Sequence, residues 1–304
     1  MWTAQVEIKK LNYICHRVKM MNVREFIRLA IAEDTADPSG LIPVGDHSAS
    51  SCLDSNEIKR ARLIIKDQGI IAGLKVAEFI FAEVDPELKV TLLLSDGDTV
   101  NYGDIGLEVE GRAVSILLAE RLVLNTMQRM SGIATKTNEF VQKIAHTSCK
   151  VLDTRKTTPN FRYFEKEAVR IGGGVNHRFG LYDMIMLKDN HIDYCGGIAP
   201  AIRRAKDYIL KLGIDLPIEV ETRNLDEVKQ VIDEGGVFRV MLDNFSPEKC
   251  KEAVDWVQGR IPLEASGGIN LETILSYAES GVDYVSIGSL TYSYKSLDIS
   301  LKAI

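Results

Sequence analysis

The stretch PIEVETRNLDEVKQVIDEGGVFRVMLDN, residues 217–244, holds two short apolar runs separated by a helical pattern. The first run ends in Glu221 and Thr222, and the second ends in Asp243 and Asn244. Short, nearly all-apolar strands that alternate with helices are typical of βα units, whose parallel sheet is covered on both faces. This stretch therefore predicts a parallel α/β fold.

The same alternation runs through the C-terminal half of the chain. Six apolar runs each precede a turn or a helical pattern: KVLD (150–153), MIML (184–187), PIEVE (217–221), FRVMLD (238–243), PLEAS (262–266) and YVSIG (284–288). Six such units predict an α/β barrel or a doubly wound sheet.

The N-terminal part has a different pattern. Strand-like runs separated by turn formers predict a small sheet between about residues 60 and 114, with the amphipathic helix of residues 22–34 on one face. A long helical pattern follows from Ser115 to His146, and Gly132 is expected to break it. The predicted divisions are an N-terminal extension (1–20), an N-terminal domain (21–131) and a catalytic domain (132–304) whose last residues are candidates to pack back on the N-terminal domain.

Composition excludes several classes of protein. The chain of 304 residues is 45% apolar with a net charge of −6, and it has no apolar run near the roughly 18 residues that a transmembrane helix needs. The acidic balance argues against nucleic acid as a partner. Five scattered cysteines without C-x-x-C spacing indicate neither a disulfide framework nor a zinc site, so we predict a reducing, cytoplasmic compartment.

Polar residues or glycines follow all six apolar runs. The carboxyl ends of parallel strands converge on one mouth, where sites are built. That mouth would gather Arg155, Lys156, Lys188, Glu221 and Asp243. The glycines of SGG (266–268) and IGSL (287–290) follow the last two strands, where barrels commonly bind phosphate, although a tight turn without a ligand is the alternative.

A second basic group lies in RIGGGVNHRFGL, residues 170–181. Its three glycines indicate a close approach or a special turn, and His177 and Arg178 follow them. Forked guanidinium groups match carboxylates, so Arg155 and Arg178 would suit a substrate with more than one carboxylate, whereas a surface His–Arg pair is the alternative. Arg121, on the polar edge of the long helix, is either a further anion ligand or an ordinary surface arginine.

Glu221 and Asp243 end strands that the pattern predicts to be buried. Near several cations they could hold Mg²⁺, ribose hydroxyls or developing positive charge. The alternative is a pair of structural salt bridges to Lys156 and Lys188. The remaining candidates, His47 and His191, are interpreted as turn or capping residues.

Seven motifs stand in the order and spacing of a known family: DTRKTTP, EKEAVRIGGGVNHRFGL, MLKDNH, EVET, LDN, EASGGI and GVDYVSIGSLT. Over about residues 115–301, and more loosely over 57–114, the chain resembles the quinolinate phosphoribosyltransferase family, also called nicotinate-nucleotide pyrophosphorylase (carboxylating). The resemblance implies an irregular, incomplete α/β barrel with an N-terminal α/β sandwich domain, assembled as a homodimer or a higher oligomer. It also implies a pentosyltransferase of de novo NAD biosynthesis that converts quinolinate and phosphoribosyl pyrophosphate to nicotinate mononucleotide, pyrophosphate and CO₂.

The resemblance further implies a role for each site residue. Quinolinate would bind to Thr154, Arg155, Lys156, His177, Arg178 and Lys188, with Arg121 contributed by the partner subunit. Phosphoribosyl pyrophosphate would bind to Lys156, Lys188, Glu221, Asp243, Ser266, Gly267, Gly268 and Gly288. The catalytic residues would be Lys156, Lys188, Glu221 and Asp243, and the two acids would hold Mg²⁺ either directly or through the pyrophosphate.

Two stretches depart from the family pattern. The segment from Glu33 to Ser48 is longer than the family's E-D-x-G-x-G-D-x-T, and Tyr292 stands where many members have His. Two other functions remain open from the residues. A paralogous barrel enzyme for another anionic acceptor would be expected to lose part of the basic set, and a non-catalytic sensor would be expected to lose an acid or a lysine, yet all are present.

Overall fold

The computed structural model describes residues 23–304, so the interpretation of residues 1–20 as an extension lies outside the described residues. The chain divides into two units. The first comprises the described residues up to Thr135 together with Pro159–Ile171 and Lys295–Ile304, and the second comprises Lys136–Thr158 and Gly172–Tyr294. Two later segments thus group with the N-terminal part of the chain.

The elements follow one another in this order: α1 (23–35), α2 (His47–Cys52), β1 (Ile58–Ile65), β2 (Gly69–Ile70), α3 (Leu74–Val84), β3 (Lys89–Leu92), β4 (Thr99–Val100), β5 (Ile105–Arg112), α4 (Ala113–Lys143), β6 (Lys150–Leu152), α5 (Arg162–Ile171), β7 (Ile185–Leu187), α6 (Asp189–Cys195), α7 (Ile198–Leu212), β8 (Ile218–Thr222), α8 (Leu225–Glu234), β9 (Arg239–Asp243), α9 (Pro247–Val257), β10 (Leu263–Ser266), α10 (Ile274–Glu279), β11 (Tyr284–Ser286), α11 (Ser289–Tyr292) and β12 (Ile299–Ala303).

The first unit is built on an antiparallel sheet with the strand order β12-β1-β5-β3. Along β1, Ala61, Leu63 and Ile65 are buried and the residues between them are more exposed, as expected when one face packs on a core. The predicted small sheet is therefore confirmed. The prediction missed α3, whose Ile80 and Phe81 are buried, because a short apolar run between strands fits either structure.

Helix α5 belongs to the first unit through its aromatic and charged side chains. The rings of Phe161 and Phe164 lie 4.7 Å apart, and Phe164 lies 5.1 Å from Phe26 of α1. The fully buried Glu165 pairs with Arg129 of α4. These contacts account for the grouping of this helix with the first unit.

Helix α4 runs without interruption through Gly132, so the predicted break there is wrong. A glycine inside a helix costs only about 1 kcal/mol relative to alanine. The neighbouring Met130, Ile133 and Ala134 are fully buried, and this packing outweighs that cost.

The second unit is built on the six predicted strands, which form one parallel sheet in the order β6-β11-β10-β9-β8-β7. Residues 218–222 of β8 are buried throughout, which fits a strand covered on both faces. Within the described residues no ladder joins β6 to β7, so the sheet does not close. This arrangement confirms the predicted incomplete barrel.

Local signals start the helices that follow these strands. The side chain of Asn224 accepts a hydrogen bond from the Glu227 amide at the start of α8, and Ser246 accepts one from the Lys249 amide at the start of α9. Each βα unit returns the chain to the sheet in the same direction, so all six carboxyl ends lie at one edge. No helix within residues 23–304 is long and apolar enough to cross a membrane.

Candidate active site

The carboxyl edge of the second unit's sheet carries the polar strand ends. Lys188 follows β7, Glu221 lies one residue before the end of β8, and Asp243 ends β9. In the register, Asp243 is paired with Ser266 of β10, which is paired with Ser286 of β11. Side chains that are scattered over a hundred residues of sequence are thus neighbours along one edge, which is the candidate active site.

The loop after β6 is held by its own side chains. The carboxylate of the fully buried Asp153 accepts hydrogen bonds from the His177 amide at 2.8 Å and from the Asn176 side chain at 2.7 Å. Thr154 Oγ1 accepts one from the Lys156 amide at 3.0 Å. Asp153 therefore ties this loop to the segment that carries His177, and Thr154 shapes the turn before Lys156.

Arg155 and Arg178 lie close enough to affect each other. Burial, together with the positive charge of Arg155, lowers the pKa of the Arg178 guanidinium. Arg178 Nη1 donates to the Met184 carbonyl at 3.3 Å, whereas the buried Arg155 Nε makes no hydrogen bond with any described residue. Because two neighbouring cations repel, an anion bound between them would be stabilised by both. The pair therefore favours an anion pocket over a surface salt bridge.

The two acids at the strand ends have different partners. Glu221 Oε2 accepts a hydrogen bond from Lys188 Nζ at 2.6 Å, and the Glu221 side chain is only 10% exposed. Asp243 Oδ2 accepts one from Asn244 Nδ2 at 2.7 Å, and Asp243 makes no ion pair with the described residues. The structural salt bridge that was the alternative interpretation thus exists for Glu221 and is not found for Asp243.

Glu221 and Asp243 also have the chemistry to hold a magnesium ion. Both offer carboxylate oxygens, the ligand type that Mg²⁺ prefers, and they lie on the neighbouring strands β8 and β9. Mg²⁺ commonly takes one or two protein carboxylates and completes its shell with water and substrate phosphates. Since Lys188 and Asn244 each engage only one oxygen of these carboxylates, the residues fit such an ion.

Two glycines of the last two strand-end loops, Gly267 and Gly288, are approached closely by side chains, whereas Gly268 has no neighbour within 4 Å of an added Cβ. At Gly267, where φ is +105°, an added Cβ would lie 2.2 Å from Asn244 Oδ1. At Gly288 it would lie 2.9 Å from Lys156 Cδ and 3.0 Å from Tyr292 Cε1. A Cβ at Gly267 would therefore clash severely, whereas at Gly288 the flexible Lys156 side chain could move aside.

Beneath the strand ends lies a buried ion cluster of His177, Glu219, Arg239 and Glu264, which we call the floor cluster. Arg239 Nη2 lies 2.8 Å from Glu219 Oε2 and 3.1 Å from His177 Nε2, and Arg239 Nε lies 3.1 Å from Glu264 Oε2. Both glutamates are fully buried. His177, Glu219 and Glu264 are close enough to share a metal ion, but the guanidinium lies within 3.1 Å of each of them and supplies the positive charge itself.

His177 uses both ring nitrogens within the protein. Its Nε2 lies 3.1 Å from Glu219 Oε2, and its Nδ1 accepts the Arg178 amide at 2.6 Å. Burial lowers the pKa of His177, but hydrogen bonds to Glu219 and Glu264 outweigh it and raise the pKa to about 9. The raised pKa favours a second ring proton, whereas the Arg178 amide can donate only to an unprotonated Nδ1. The short bond from the Arg178 amide assigns the ring as the Nε2–H form, in which Nε2 donates to Glu219 Oε2 and accepts no hydrogen bond from Arg239.

The other predicted residues, Arg121, Gly268, His191 and His47, lie at exposed positions or at helix starts. Arg121 is exposed on the part of α4 that belongs to the first unit, and Gly268 is exposed with a φ of +64°. His191 Nδ1 accepts the Lys188 amide at 3.0 Å at the start of α6, and His47 lies at the start of α2, where Nε2 contacts the Pro43 carbonyl at 3.1 Å. The interpretation of both histidines as turn or capping residues is confirmed.

Of the floor cluster only His177 was predicted from the sequence, and Thr291 was not predicted either. Thr291 Oγ1 donates to the Lys156 carbonyl at 2.7 Å and thereby braces the loop that carries Lys156. The signal for the cluster was present, because a charge inside an otherwise apolar strand needs a buried partner. Glu219, Arg239 and Glu264 are such charges, but only the sheet register shows that they meet.

Two family models match this chain. The model described as quinolinate phosphoribosyl transferase, C-terminal domain, matches residues 133–302, and the corresponding N-terminal domain matches residues 46–131. Quinolinate phosphoribosyltransferase (decarboxylating) 2b, mitochondrial, of Nicotiana tabacum is 43% identical over 295 residues, which cover 92% of this chain and 82% of that protein. A probable nicotinate-nucleotide pyrophosphorylase (carboxylating) of Bacillus subtilis is 41% identical over 260 residues, which cover 86% of this chain and 88% of that protein.

Solved structures agree with these matches. The crystal structure of NadC from Streptococcus pyogenes superposes with a TM-score of 0.85 at 39% identity, covering 93% of this chain and 98% of that one. The nicotinate-nucleotide pyrophosphorylase from Francisella tularensis has a TM-score of 0.84 at 40% identity and covers 93% and 96%. Both the sheet of the first unit and the open parallel sheet of the second thus lie within a known architecture.

Proposed function

Because the chain belongs to the quinolinate phosphoribosyltransferase family, we propose that the strand-end site of its second unit carries out the reaction after which the relatives are named. The enzyme transfers the phosphoribosyl group of phosphoribosyl pyrophosphate to quinolinate with decarboxylation, giving nicotinate mononucleotide, pyrophosphate and CO₂. It is a pentosyltransferase of de novo NAD biosynthesis. The observation that supports this location most strongly is the pair of guanidinium groups of Arg155 and Arg178, which suits a dicarboxylate.

Quinolinate would bind at the basic side of the site. Its two carboxylates need several donors in fixed positions, and planar guanidinium groups provide them in pairs. Arg155 Nε is a buried donor that makes no hydrogen bond with the described residues, and Arg178 is half-buried beside it. The proposed quinolinate ligands are Thr154, Arg155, Lys156, Arg178 and Lys188, whereas His177, whose two ring nitrogens both contact protein groups, would act by holding Arg178.

Phosphoribosyl pyrophosphate would bind along the rest of the edge. Gly267, Gly268 and Gly288 let a phosphate approach the backbone, and the Lys156 side chain lies against Gly288. Glu221 and Asp243 would bind the ribose, and they would hold Mg²⁺ directly or through the pyrophosphate. When bound, this ion supplies positive charge to the leaving phosphates.

The side chains then serve a reaction in which no protein nucleophile is needed. The pyridine nitrogen attacks ribose C1 as pyrophosphate leaves, so positive charge grows on the ribose. Glu221 and Asp243 would stabilise that charge, while Lys156 and Lys188 would stabilise the departing negative charge. The alkylated ring nitrogen is cationic and accepts the electrons released when the adjacent carboxylate leaves as CO₂, after which the ring carbon takes up a proton.

We propose that the site is completed by a second copy of the chain. Arg121 is exposed on α4 and would reach the quinolinate of a partner subunit in a homodimer. Mixing an Arg121→Ala chain with a Lys156→Ala chain should then restore part of the activity, since one site of the mixed dimer is intact. No gain in activity over either variant alone, in mixtures shown to contain mixed dimers, would exclude a shared site.

We also propose a cytoplasmic location. The four cysteines in the described residues are all free, as is usual in a reducing compartment. Fractionation of cells that express the native gene would test this, and recovery of the protein in an organelle fraction would contradict it.

The proposed reaction has a direct test. Purified protein is incubated with phosphoribosyl pyrophosphate, Mg²⁺ and either quinolinate or nicotinate, and the products are separated. Nicotinate mononucleotide should form from quinolinate only. A product from nicotinate and none from quinolinate would refute the decarboxylating activity. Lys156→Ala and Lys188→Ala are the matched variants, and both should lose activity.

A further inference from the structure

We infer that Arg239 is a positioning residue for quinolinate binding, because it fixes the ring of His177 and, through that ring, the backbone of Arg178. This inference rests on the proposed function. It adds to the site a residue that lies beneath the strand ends and is not among the proposed ligands.

The sheet register brings the floor cluster under the site. Arg239 is paired with Glu219 across β8 and β9, and Glu264 is paired with Met241 across β9 and β10. Side chains an even number of residues apart on a strand share a face, so Glu219 lies on the same face as Glu221, two residues away, and Arg239 on the same face as Asp243, four residues away. The cluster thus lies beneath the acids of the proposed site. Glu219, for example, is one two-residue step, about 7 Å along the strand, from Glu221.

Arg239 is the cation that makes this layer possible. Glu219 and Glu264 have no exposure to solvent, and a buried carboxylate without a partner is costly. The planar guanidinium donates a hydrogen bond to Glu219 through Nη2 and forms an ion pair with Glu264 through Nε, whereas a lysine could offer only one point of charge. The Tyr284 ring lies 5.0 Å from the guanidinium carbon and limits its movement from a further side.

His177 connects the floor cluster to Arg178. Its protonated Nε2 lies 3.1 Å from Glu219 Oε2 and donates to it, and the same oxygen accepts from Arg239 Nη2 at 2.8 Å, so Arg239 sets the orientation of the ring through Glu219. Its Nδ1 accepts the amide of Arg178 at 2.6 Å. The ring therefore holds the backbone at Arg178, whose guanidinium is otherwise anchored by the longer bond to the Met184 carbonyl at 3.3 Å. If Arg239 were replaced, the His177 ring would be free to rotate, and the Arg178 guanidinium would no longer be held in position for the substrate.

The test compares Arg239→Lys with Glu165→Gln. Lysine keeps the charge but cannot hold both glutamates, so the dissociation constant for quinolinate, measured by calorimetry, should rise at least about tenfold, while that for phosphoribosyl pyrophosphate should change less than about twofold. Glu165→Gln breaks the ion pair between a fully buried glutamate and the partly exposed Arg129 in the first unit, and should lower the melting temperature without changing either constant. If Arg239→Lys folds poorly, the double variant Arg239→Met, Glu264→Gln takes its place in the test. It removes one charge of each sign, and the same rise in the dissociation constant for quinolinate is expected.

A spectroscopic measurement separates positioning from mere stability. With ¹⁵N-labelled histidine, the ring signals of His177, assigned by their loss in His177→Gln, should show the Nε2–H form in the wild type and an altered tautomer balance in Arg239→Lys. Unchanged ring signals, or quinolinate constants in Arg239→Lys that match those of Glu165→Gln, would overturn the inference. Wild-type protein that does not bind quinolinate would refute the proposed function and the quinolinate part of this inference, while the ring signals would still report whether Arg239 fixes His177.

Discussion

Replacing Gly267 by alanine should damage the proposed active site more than the same change at an open glycine. Gly267 has a φ of +105°, and an added Cβ would lie 2.2 Å from Oδ1 and 2.8 Å from Cγ of Asn244. The Asn244 side chain cannot move freely, since its Nδ2 donates to Asp243 and its backbone amide donates to the Ser266 carbonyl. The clash therefore pushes on the residue that orients a proposed catalytic acid.

The magnitude follows from two contributions. A non-glycine residue held at positive φ costs about 1–2 kcal/mol, and the loss of a hydrogen bond to a charged group costs about 1.5–3 kcal/mol when it is buried. Because Asn244 is exposed, we use about 1 kcal/mol for the second contribution, which gives a loss of about 2–3 kcal/mol in the free energy of unfolding. Gly259→Ala is the matched control. Gly259 has a φ of +70° and no neighbour within 4 Å, so its substitution should cost only about 1–2 kcal/mol.

Urea denaturation gives the free energies, and steady-state kinetics gives kcat/KM for phosphoribosyl pyrophosphate. Gly267→Ala should be the less stable variant and should lose about tenfold or more in kcat/KM, whereas Gly259→Ala should keep its activity. Adding Asn244→Gly to Gly267→Ala removes the side-chain clash but not the cost of positive φ, so it should leave most of the stability loss and should not recover kinetics, because Asp243 still lacks its donor. Equal stability and equal kinetics for the two alanine variants would refute this reasoning.

Three further predictions concern charged residues. Arg155→Ala should weaken quinolinate binding by about 2–5 kcal/mol, and an unchanged KM for quinolinate would exclude contact with a buried carboxylate. Lys188→Met and Glu221→Gln should each lower kcat/KM. Expressed as an activation free energy, the loss in the double variant should differ from the sum of the two single losses by a coupling energy of about 0.5–3 kcal/mol. Strict additivity would contradict the 2.6 Å hydrogen bond between the two side chains. A hydrogen bond from Arg112 lowers the pKa of Asp85 from 3.8 to about 2, so its stabilisation is present above about pH 4 and disappears as the pH falls through 2. Asp85→Asn should therefore cost about 1–2 kcal/mol at pH 7, and its difference from wild type in acid-denaturation curves should vanish near pH 2.

The parallel sheet could be predicted from the sequence because its signal is local and repeated. Each strand of the second unit is a short apolar run closed by a polar residue, and the structure confirms all six. The small antiparallel sheet was predictable for the same reason. Helix α3 was not, since a few apolar residues between turns do not distinguish helix from strand. Gly132 was misleading because a glycine destabilises a helix by only about 1 kcal/mol relative to alanine. The burial of Met130 and Ile133 stabilises the helix by more, and that burial depends on tertiary packing.

The floor cluster shows where sequence reasoning ends. Glu219, Arg239 and Glu264 stand 20 and 25 residues apart, in three strands, and each by itself is only a charge in an apolar run. Their meeting depends on the register of β8, β9 and β10, which turn types and periodicity do not determine. His177 is predictable as a basic residue after a glycine run, but its inward-facing ring is a property of the fold.

The most direct test of the central claim is the stoichiometry of the reaction with quinolinate carrying a ¹³C label in the carboxylate next to the ring nitrogen. With phosphoribosyl pyrophosphate and Mg²⁺ present, the account predicts one labelled CO₂ and one pyrophosphate for each unlabelled nicotinate mononucleotide formed. Labelled carbon retained in the nucleotide, or pyrophosphate released without CO₂, would contradict the assignment of this site to decarboxylating phosphoribosyl transfer.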